Sequence, residues 1–341
     1  MSRSLRPTPS ATPPAMTAVV HGCRFAGLLL ALVCLAAVSP ADAQSPSFEA
    51  RADREPITPI PAPRAQDPQR VLLGERLFSD RRLSHDNTRS CSSCHDIATN
   101  GASASIHDAR EGQPIALNTP TVFNASLNFR LNWEGNFRSL EEGIEGSLRN
   151  PAIMASSVGE TLGKLRADPE IVRQFRDAYG REPDATALLD AIATYERSLV
   201  TPGSRFDRWL AGEINVMTPD ELSGYQVFKS LGCITCHQGV NVGGNLFQRH
   251  GIFHPLGSPE PVFVRVPSLR NVATTAPYFH DGSASTLPEA VKVMGVAQLD
   301  RVLTDQQITA VVAFLNTLTG TYRGQAVRPA AATPRTGSPI P

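Results

Sequence analysis

The sequence has no net charge, no long hydrophobic run and few cysteines. Its 32 basic side chains balance its 32 acidic ones, so nothing in the composition indicates a nucleic-acid partner or an anionic membrane surface. The apolar run at 25–38 has 14 residues, which is too short to cross a bilayer as an ordinary helix. Lysine occurs only three times, and we draw no function from that bias towards arginine.

The apolar run is typical of an export signal. It follows Arg24 and precedes Ser-Pro-Ala-Asp-Ala at 39–43, whose Ala-x-Ala ending is typical of a signal peptidase site. The sequence therefore predicts a signal peptide at 1–43 and no permanent membrane anchor, although an anchor is the alternative interpretation. Removal of the signal peptide would leave four of the six cysteines.

Those four cysteines lie in two copies of the motif Cys-x-x-Cys-His. Two thiols at this spacing can form thioethers to the two vinyl groups of one porphyrin, and the next histidine can coordinate its iron. A thioredoxin-like thiol pair or half of a zinc site is the alternative, but each requires other partners. We therefore predict two covalent haem c groups, at Cys91, Cys94 and His95 and at Cys233, Cys236 and His237.

These motifs also bear on localisation. No thiol remains for a disulfide, and haem c is attached outside the cytoplasm in bacteria. An exported chain with two such motifs is therefore predicted to be periplasmic.

Proline-rich segments flank the central part of the chain. We predict an extended leader at 44–66 and a disordered tail at 324–341. Helix-start signals, Asp67-Pro68 and Thr218-Pro219, precede the two haem motifs. This weak repeat predicts two class I cytochrome c-like domains, an N-terminal one at 67–212 and a C-terminal one at 213–323, each with one haem.

Helical patterns dominate both domains, whereas strand signals are few, so the predicted fold class is mainly α. Long irregular stretches around the haems are expected at 96–132 and 238–285. Further helices are predicted at 158–167, 169–179, 185–199, 287–294 and 304–318.

Each haem iron has one further axial position, whose occupant decides between electron transfer and ligand chemistry. Met294 lies 57 residues after His237, within the range by which class I cytochromes c return a methionine to the iron. A methionine in the core of a helix is the alternative role for Met294. Met154, 59 residues after His95, is the corresponding candidate in the first domain.

Several stretches resemble bacterial di-haem cytochrome c peroxidases, and the resemblance covers about 68–320. One is Arg-Val-Pro-Ser-Leu-Arg-Asn-Val-Ala-Thr-Thr-Ala-Pro-Tyr-Phe-His-Asp-Gly-Ser at 265–283, followed by Leu-Pro-Glu-Ala-Val-Lys-Val-Met at 287–294. The others are Leu-Gly-Glu-Arg-Leu-Phe-Ser-Asp-Arg-Arg-Leu-Ser at 73–84 and Asn-Thr-Pro-Thr-Val-Phe-Asn at 118–124, with Trp133 after them.

The resemblance implies reduction of hydrogen peroxide to water, with electrons from a small cytochrome c or a cupredoxin. It implies that Met294 ligates the C-terminal, high-potential haem, where electrons enter. Peroxide would react at the N-terminal, low-potential haem on His95. Trp133 would lie between the haems on the electron path, although a structural role for a buried tryptophan is the alternative.

The resemblance further implies a calcium ion between the domains, held by Asn118 and by the backbone carbonyls of Thr275 and Pro277. Oxygen ligands of this kind suit calcium. His280 corresponds to a family histidine near the haem interface. Because dimers occur in the family, a homodimer is one expected assembly.

The sequence departs from the family at the peroxide site. Family members have a glutamate before a methionine that moves a proton during peroxide cleavage, but this chain has Ile153 there, and isoleucine cannot transfer protons. Glu142 and Glu145 are candidate replacements. His107 is the candidate distal ligand of the first haem, or else a solvated loop residue.

Two other functions remain open on the same scaffold. The change at Ile153, together with Trp-Glu-Gly-Asn at 133–136 where the family commonly has Trp-Asp-Gly-Arg, would suit a non-enzymatic electron carrier or haem sensor. Oxidation of tryptophan residues in a partner protein, as in MauG-type enzymes, is the third hypothesis. Those enzymes carry tyrosine on the second haem, so Met294 counts against it.

Overall fold

The computed structural model describes residues 55–103, 117–256 and 260–330. The signal peptide predicted at 1–43 and His107 lie outside these ranges. No helix within them is long and apolar enough to cross a membrane. The helices are α1 (Pro68–Phe78), α2 (Leu140–Arg149), α3 (Val158–Arg166), α4 (Pro169–Tyr179), α5 (Ala185–Ser198), α6 (Arg205–Leu210), α7 (Pro219–Ser230), α8 (Leu287–Leu299) and α9 (Asp305–Asn316).

Strands are short, and the mainly α prediction is confirmed. In the described ranges they form two antiparallel pairs, in one of which Phe247 lies opposite Arg265. A short 3₁₀ helix begins at the first cysteine of each haem motif, Cys91–Ser93 and Cys233–Thr235. The strands are β1 (Phe247–Arg249), β2 (Phe263–Arg265), β3 (Thr321–Tyr322) and β4 (Gln325–Ala326).

The predicted cap residues begin the helices that precede the haem motifs. The Asp67 carboxylate accepts hydrogen bonds from two backbone amides at the start of α1, and Thr218 forms a capping box with Glu221 at the start of α7. Helix α8 continues five residues beyond the predicted end at 294. It ends at Leu299, because the next residue, Asp300, has a left-handed φ of 52° that cannot continue the helix.

Each domain contains a helix crossing of the same type. Helix α1 crosses α5 at Gly74, where an added Cβ would lie 2.0 Å from the carbonyl oxygen of Ala191. Helix α7 crosses α9 at Gly224, where the corresponding distance to the Ala310 oxygen is also 2.0 Å. Only glycine permits backbones to approach so closely. The repeated crossing places each haem motif, which follows the first helix of its pair, at the same position in its domain.

A second repeat joins the domains. Asn124 and Asn271 each have a left-handed backbone and begin a 3₁₀ turn four residues after a proline. The amide groups of both asparagines donate to the Thr201 hydroxyl, at 2.8 and 3.0 Å. All three residues are almost fully buried. Because buried polar groups require partners, this network fixes the two halves against each other.

The described parts of the predicted leader and tail contain buried residues, although we predicted an extended leader and a disordered tail. Ile57 is buried in the C-terminal core, Ile60 is also buried, and the Glu55 carboxylate accepts a hydrogen bond from the Tyr225 hydroxyl at 2.5 Å. In the tail, β4 is followed by Val327, which is buried in the N-terminal core. Burial of these apolar side chains is favourable, but the proline- and glycine-rich composition around them does not predict it.

Candidate haem centres

The first haem motif holds its histidine in a fixed orientation. The Nδ1 atom of His95 donates a hydrogen bond to the carbonyl of Gly101 at 3.1 Å, which leaves Nε2 available for iron. Cys91 and Cys94 are half-buried beside His95.

The second motif repeats this arrangement. His237 Nδ1 donates to the Val242 carbonyl at 3.3 Å, and burial lowers the pKa of His237 to about 4, which favours the neutral form that binds metals. Phe228 packs against His237 with ring centroids 6.4 Å apart. The equivalent pair in the first domain, Phe78 and His95, is 6.5 Å apart.

A cavity lies beside each motif. The cavity at Cys91, Cys94 and His95 has a volume of about 430 Å³, and the cavity at Cys233 and His237 about 180 Å³. Met294, on α8, lines the second cavity, where its thioether would serve as a second iron ligand. Met154 and Ile153 line the first. Two thiols and an imidazole beside a largely apolar cavity fit a covalent haem in each domain.

Trp133 lies between the two cavities and lines both of them. Its side chain is 9% exposed, and its indole N–H donates to the Asn118 carbonyl at 2.7 Å. The ring of His280 packs edge-on against the indole, with centroids 6.4 Å apart. The indole is therefore held in one orientation between the two sites.

Comparison with known proteins gives the family. Residues 68–215 match the model of the di-haem cytochrome c peroxidase, and residues 222–319 that of cytochrome c. The chain is 39% identical over 287 residues to a cytochrome c551 peroxidase of Nitrosomonas europaea, an alignment that covers 79% of this chain and 85% of that protein. The chain belongs to the di-haem cytochrome c peroxidase family. It is therefore an oxidoreductase of the cytochrome c peroxidase type, with two haem c groups.

Relatives with other names share the scaffold. The methylamine utilization protein MauG of Methylorubrum extorquens is 30% identical over 276 residues, which cover 75% of this chain and 77% of that protein. The crystal structure of a MauG-like protein associated with microbial copper homeostasis matches with a TM-score of 0.65 and 26% identity. That match covers 76% of this chain and 93% of the other.

The three residues expected to bind calcium line one cavity, that of His237. The Asn118 amide nitrogen lies 2.8 Å from the Pro277 carbonyl. Its Oδ1 is buried and has no hydrogen-bond partner among the described residues. Thr275 lies two positions before Pro277. A buried, unpartnered amide oxygen on a side chain that contacts the Pro277 carbonyl fits an oxygen-ligated cation.

The structure does not bring the expected replacement acids to the cavity of His95. Glu145 forms an ion pair with Arg149, and Glu142 accepts a hydrogen bond from the Arg138 amide at 2.7 Å. Neither lines the cavity, to which α2 contributes Gly143, Ile144, Ser147 and Leu148 among others. A helix presents residues separated by three or four positions on one face, and these two glutamates lie on another.

Glu196, on α5, is an acid of the first cavity that sequence reasoning missed. Its side chain is buried, and burial raises its pKa to about 8, with a smaller contribution from the charge of Glu141. A signal was present in the sequence, because Glu196 falls among the apolar residues Ile192, Tyr195 and Leu199 of a helical pattern. A carboxyl on such a face is buried with the face.

Proposed function

We propose that this protein reduces hydrogen peroxide to water in the periplasm, with electrons from a small cytochrome c or cupredoxin. The proposal is supported above all by Trp133, a buried indole held between two haem cavities that differ in their lining. Met294 lines the cavity of the C-terminal haem, which we assign as the electron entry site. The cavity of His95, which the buried acid Glu196 lines, is assigned to peroxide.

Bound haem c supplies the redox-active iron at each site. The chain orients the ligands, because His95 and His237 each donate Nδ1–H to a backbone carbonyl and direct Nε2 into the cavity. Trp133 provides an oxidisable π-system between the cavities, fixed by its hydrogen bond to Asn118.

Peroxide cleavage requires a proton on the departing oxygen, and Ile153 cannot supply one. We assign this role to Glu196. A carboxyl with a pKa of about 8 is mostly protonated at neutral pH and can donate its proton within an apolar cavity. Glu134 also lines this cavity, but its side chain is exposed, whereas that of Glu196 is buried.

Calcium is proposed at Asn118, with the carbonyls of Thr275 and Pro277. Asn118 also accepts the indole N–H of Trp133 through its backbone carbonyl. A cation bound there would hold the segment that orients the indole and would stabilise the contact between the domains.

A redox titration of the calcium-loaded protein tests the proposal when it is combined with a turnover assay. We expect one haem to become high-spin after partial reduction, and the protein to consume peroxide while oxidising a reduced small cytochrome c. Two low-spin haems at every potential, with no peroxide consumption, would instead support the electron carrier or sensor that Ile153 favours.

A further inference from the structure

Arg265 is a buried cation shared by the two haem cavities. It ends strand β2, its residue surface is 5% exposed, and its side chain lines both cavities. Its backbone amide donates to the Trp133 carbonyl at 2.8 Å, and its Nε donates to the Asn132 carbonyl at 3.1 Å. These bonds hold Arg265 against the segment that contains Trp133, whose indole lies between the two cavities.

The rest of the guanidinium lacks an anion. Nη1 is buried without a hydrogen-bond partner, and Arg265 forms no ion pair within the described part of the chain. Burial alone lowers its pKa to about 10, with no opposing contribution from a nearby carboxylate. Burying an unpaired charge is costly, so folded proteins normally supply a counter-ion.

Arg270, five residues after Arg265, is a buried arginine whose charge the protein itself neutralises. Its side chain is 1% exposed and forms an ion pair with Asp207 at 2.7 Å. It also donates to the backbone carbonyls of Val240 and Thr58 at 2.8 and 2.9 Å. The protein therefore satisfies Arg270 with its own groups and leaves Arg265 directed at the cavities.

We propose that Arg265 is the shared counter-ion of the two haems, binding a propionate carboxylate from each and raising both reduction potentials. A guanidinium presents several N–H donors in a planar fork, so it can bind two carboxylates at once, and such charge-assisted hydrogen bonds are short and strong. Reduction adds one negative charge to a haem, and a fixed positive charge close by stabilises the reduced form. This inference rests on the two haems and not on peroxide reduction.

The test is a spectroelectrochemical titration of the holoprotein, which resolves the midpoint potential of each haem. In Arg265→Gln we expect the reduction equilibrium constant of both haems to fall by about tenfold, which is about 59 mV for a one-electron couple. Because the effect on the potentials is that of a fixed positive charge, Arg265→Lys should keep both constants within about threefold of the wild type, although lysine lacks the planar fork. Arg249→Gln, an exposed arginine on the neighbouring strand β1, is the matched control and should change neither.

A fall confined to one haem, or to neither, would overturn the shared role. If Arg265→Gln does not retain its haems, a crystal structure of the unmodified holoprotein decides the question. Guanidinium nitrogens within hydrogen-bond distance of a propionate oxygen of each haem would support the proposal. Water or a protein group in either position would overturn it.

Discussion

Replacing Glu196 with glutamine removes an ionisable group that the fold holds protonated, while it keeps the shape of the side chain. Burial raises the pKa of Glu196 from 4.5 to about 8, so the folded state binds this proton more tightly than the unfolded state. Its contribution to stability is therefore complete below pH 4.5 and is lost as the pH rises through 8. The shift of about 3.5 pH units sets an upper value of roughly 5 kcal/mol for that loss.

We therefore expect Glu196→Gln and the wild type to differ in the pH dependence of stability. The free energy of unfolding of the variant, relative to the wild type, should rise between pH 5 and pH 9. Denaturant unfolding of the haem-loaded proteins at each pH measures this difference. Glu134→Gln, which removes an exposed carboxyl group from the same cavity, is the matched control.

The same variant tests the proton-transfer role. The wild-type rate with peroxide should fall above pH 8, where the Glu196 carboxyl loses its proton. In Glu196→Gln the rate should be lower by about 10²-fold or more and should no longer depend on pH in that range. A relative stability that is flat between pH 5 and 9, together with an unchanged rate, would refute both the raised pKa and the proton-transfer assignment.

Four further outcomes are expected. Met294→Ala should lower the potential of the C-terminal haem and remove its methionine-ligation absorption; an unchanged spectrum would exclude Met294 as a ligand. Trp133→Phe should slow electron transfer between the haems in flash-reduction kinetics, and an unchanged rate would leave the indole a structural role. Chelation of calcium, or Asn118→Ala, should lower the thermal midpoint of the holoprotein; an equal midpoint with and without calcium would contradict the site. Asp207→Asn should cost about 3–5 kcal/mol of unfolding free energy, because it leaves Arg270 buried and unpaired, and a loss below about 1 kcal/mol would contradict that account.

Local signals in the sequence predicted much of the fold. The cap residues Asp67 and Thr218 fix where two helices begin, and the prediction for α4 has the bounds found in the structure. The Cys-x-x-Cys-His motifs predicted the positions of the two haem sites. The family resemblance predicted Met294 at the second site, and Met294 lines that cavity. These features depend on residues close together in the chain or on a spacing that carries its own chemistry.

The features that were missed depend on contacts across the fold. Ile57 is buried only because the C-terminal core offers it a place, and nothing in its proline-rich neighbourhood predicts that contact. Glu145 and Glu196 are both helical glutamates, and only the packing of α2 against α5 decides which of them faces the cavity. Arg265 is one of many arginines in the sequence, and its lack of a carboxylate partner becomes visible only in three dimensions.

The most direct test of the proposed function is stopped-flow absorption of the calcium-loaded, half-reduced protein mixed with hydrogen peroxide. The account predicts a rapid change in the Soret and visible bands that is complete at one equivalent of peroxide. It also predicts that this reaction slows in Glu196→Gln. No reaction of the half-reduced wild type with peroxide would contradict the peroxidase function and leave electron transfer or sensing on the same two-haem scaffold.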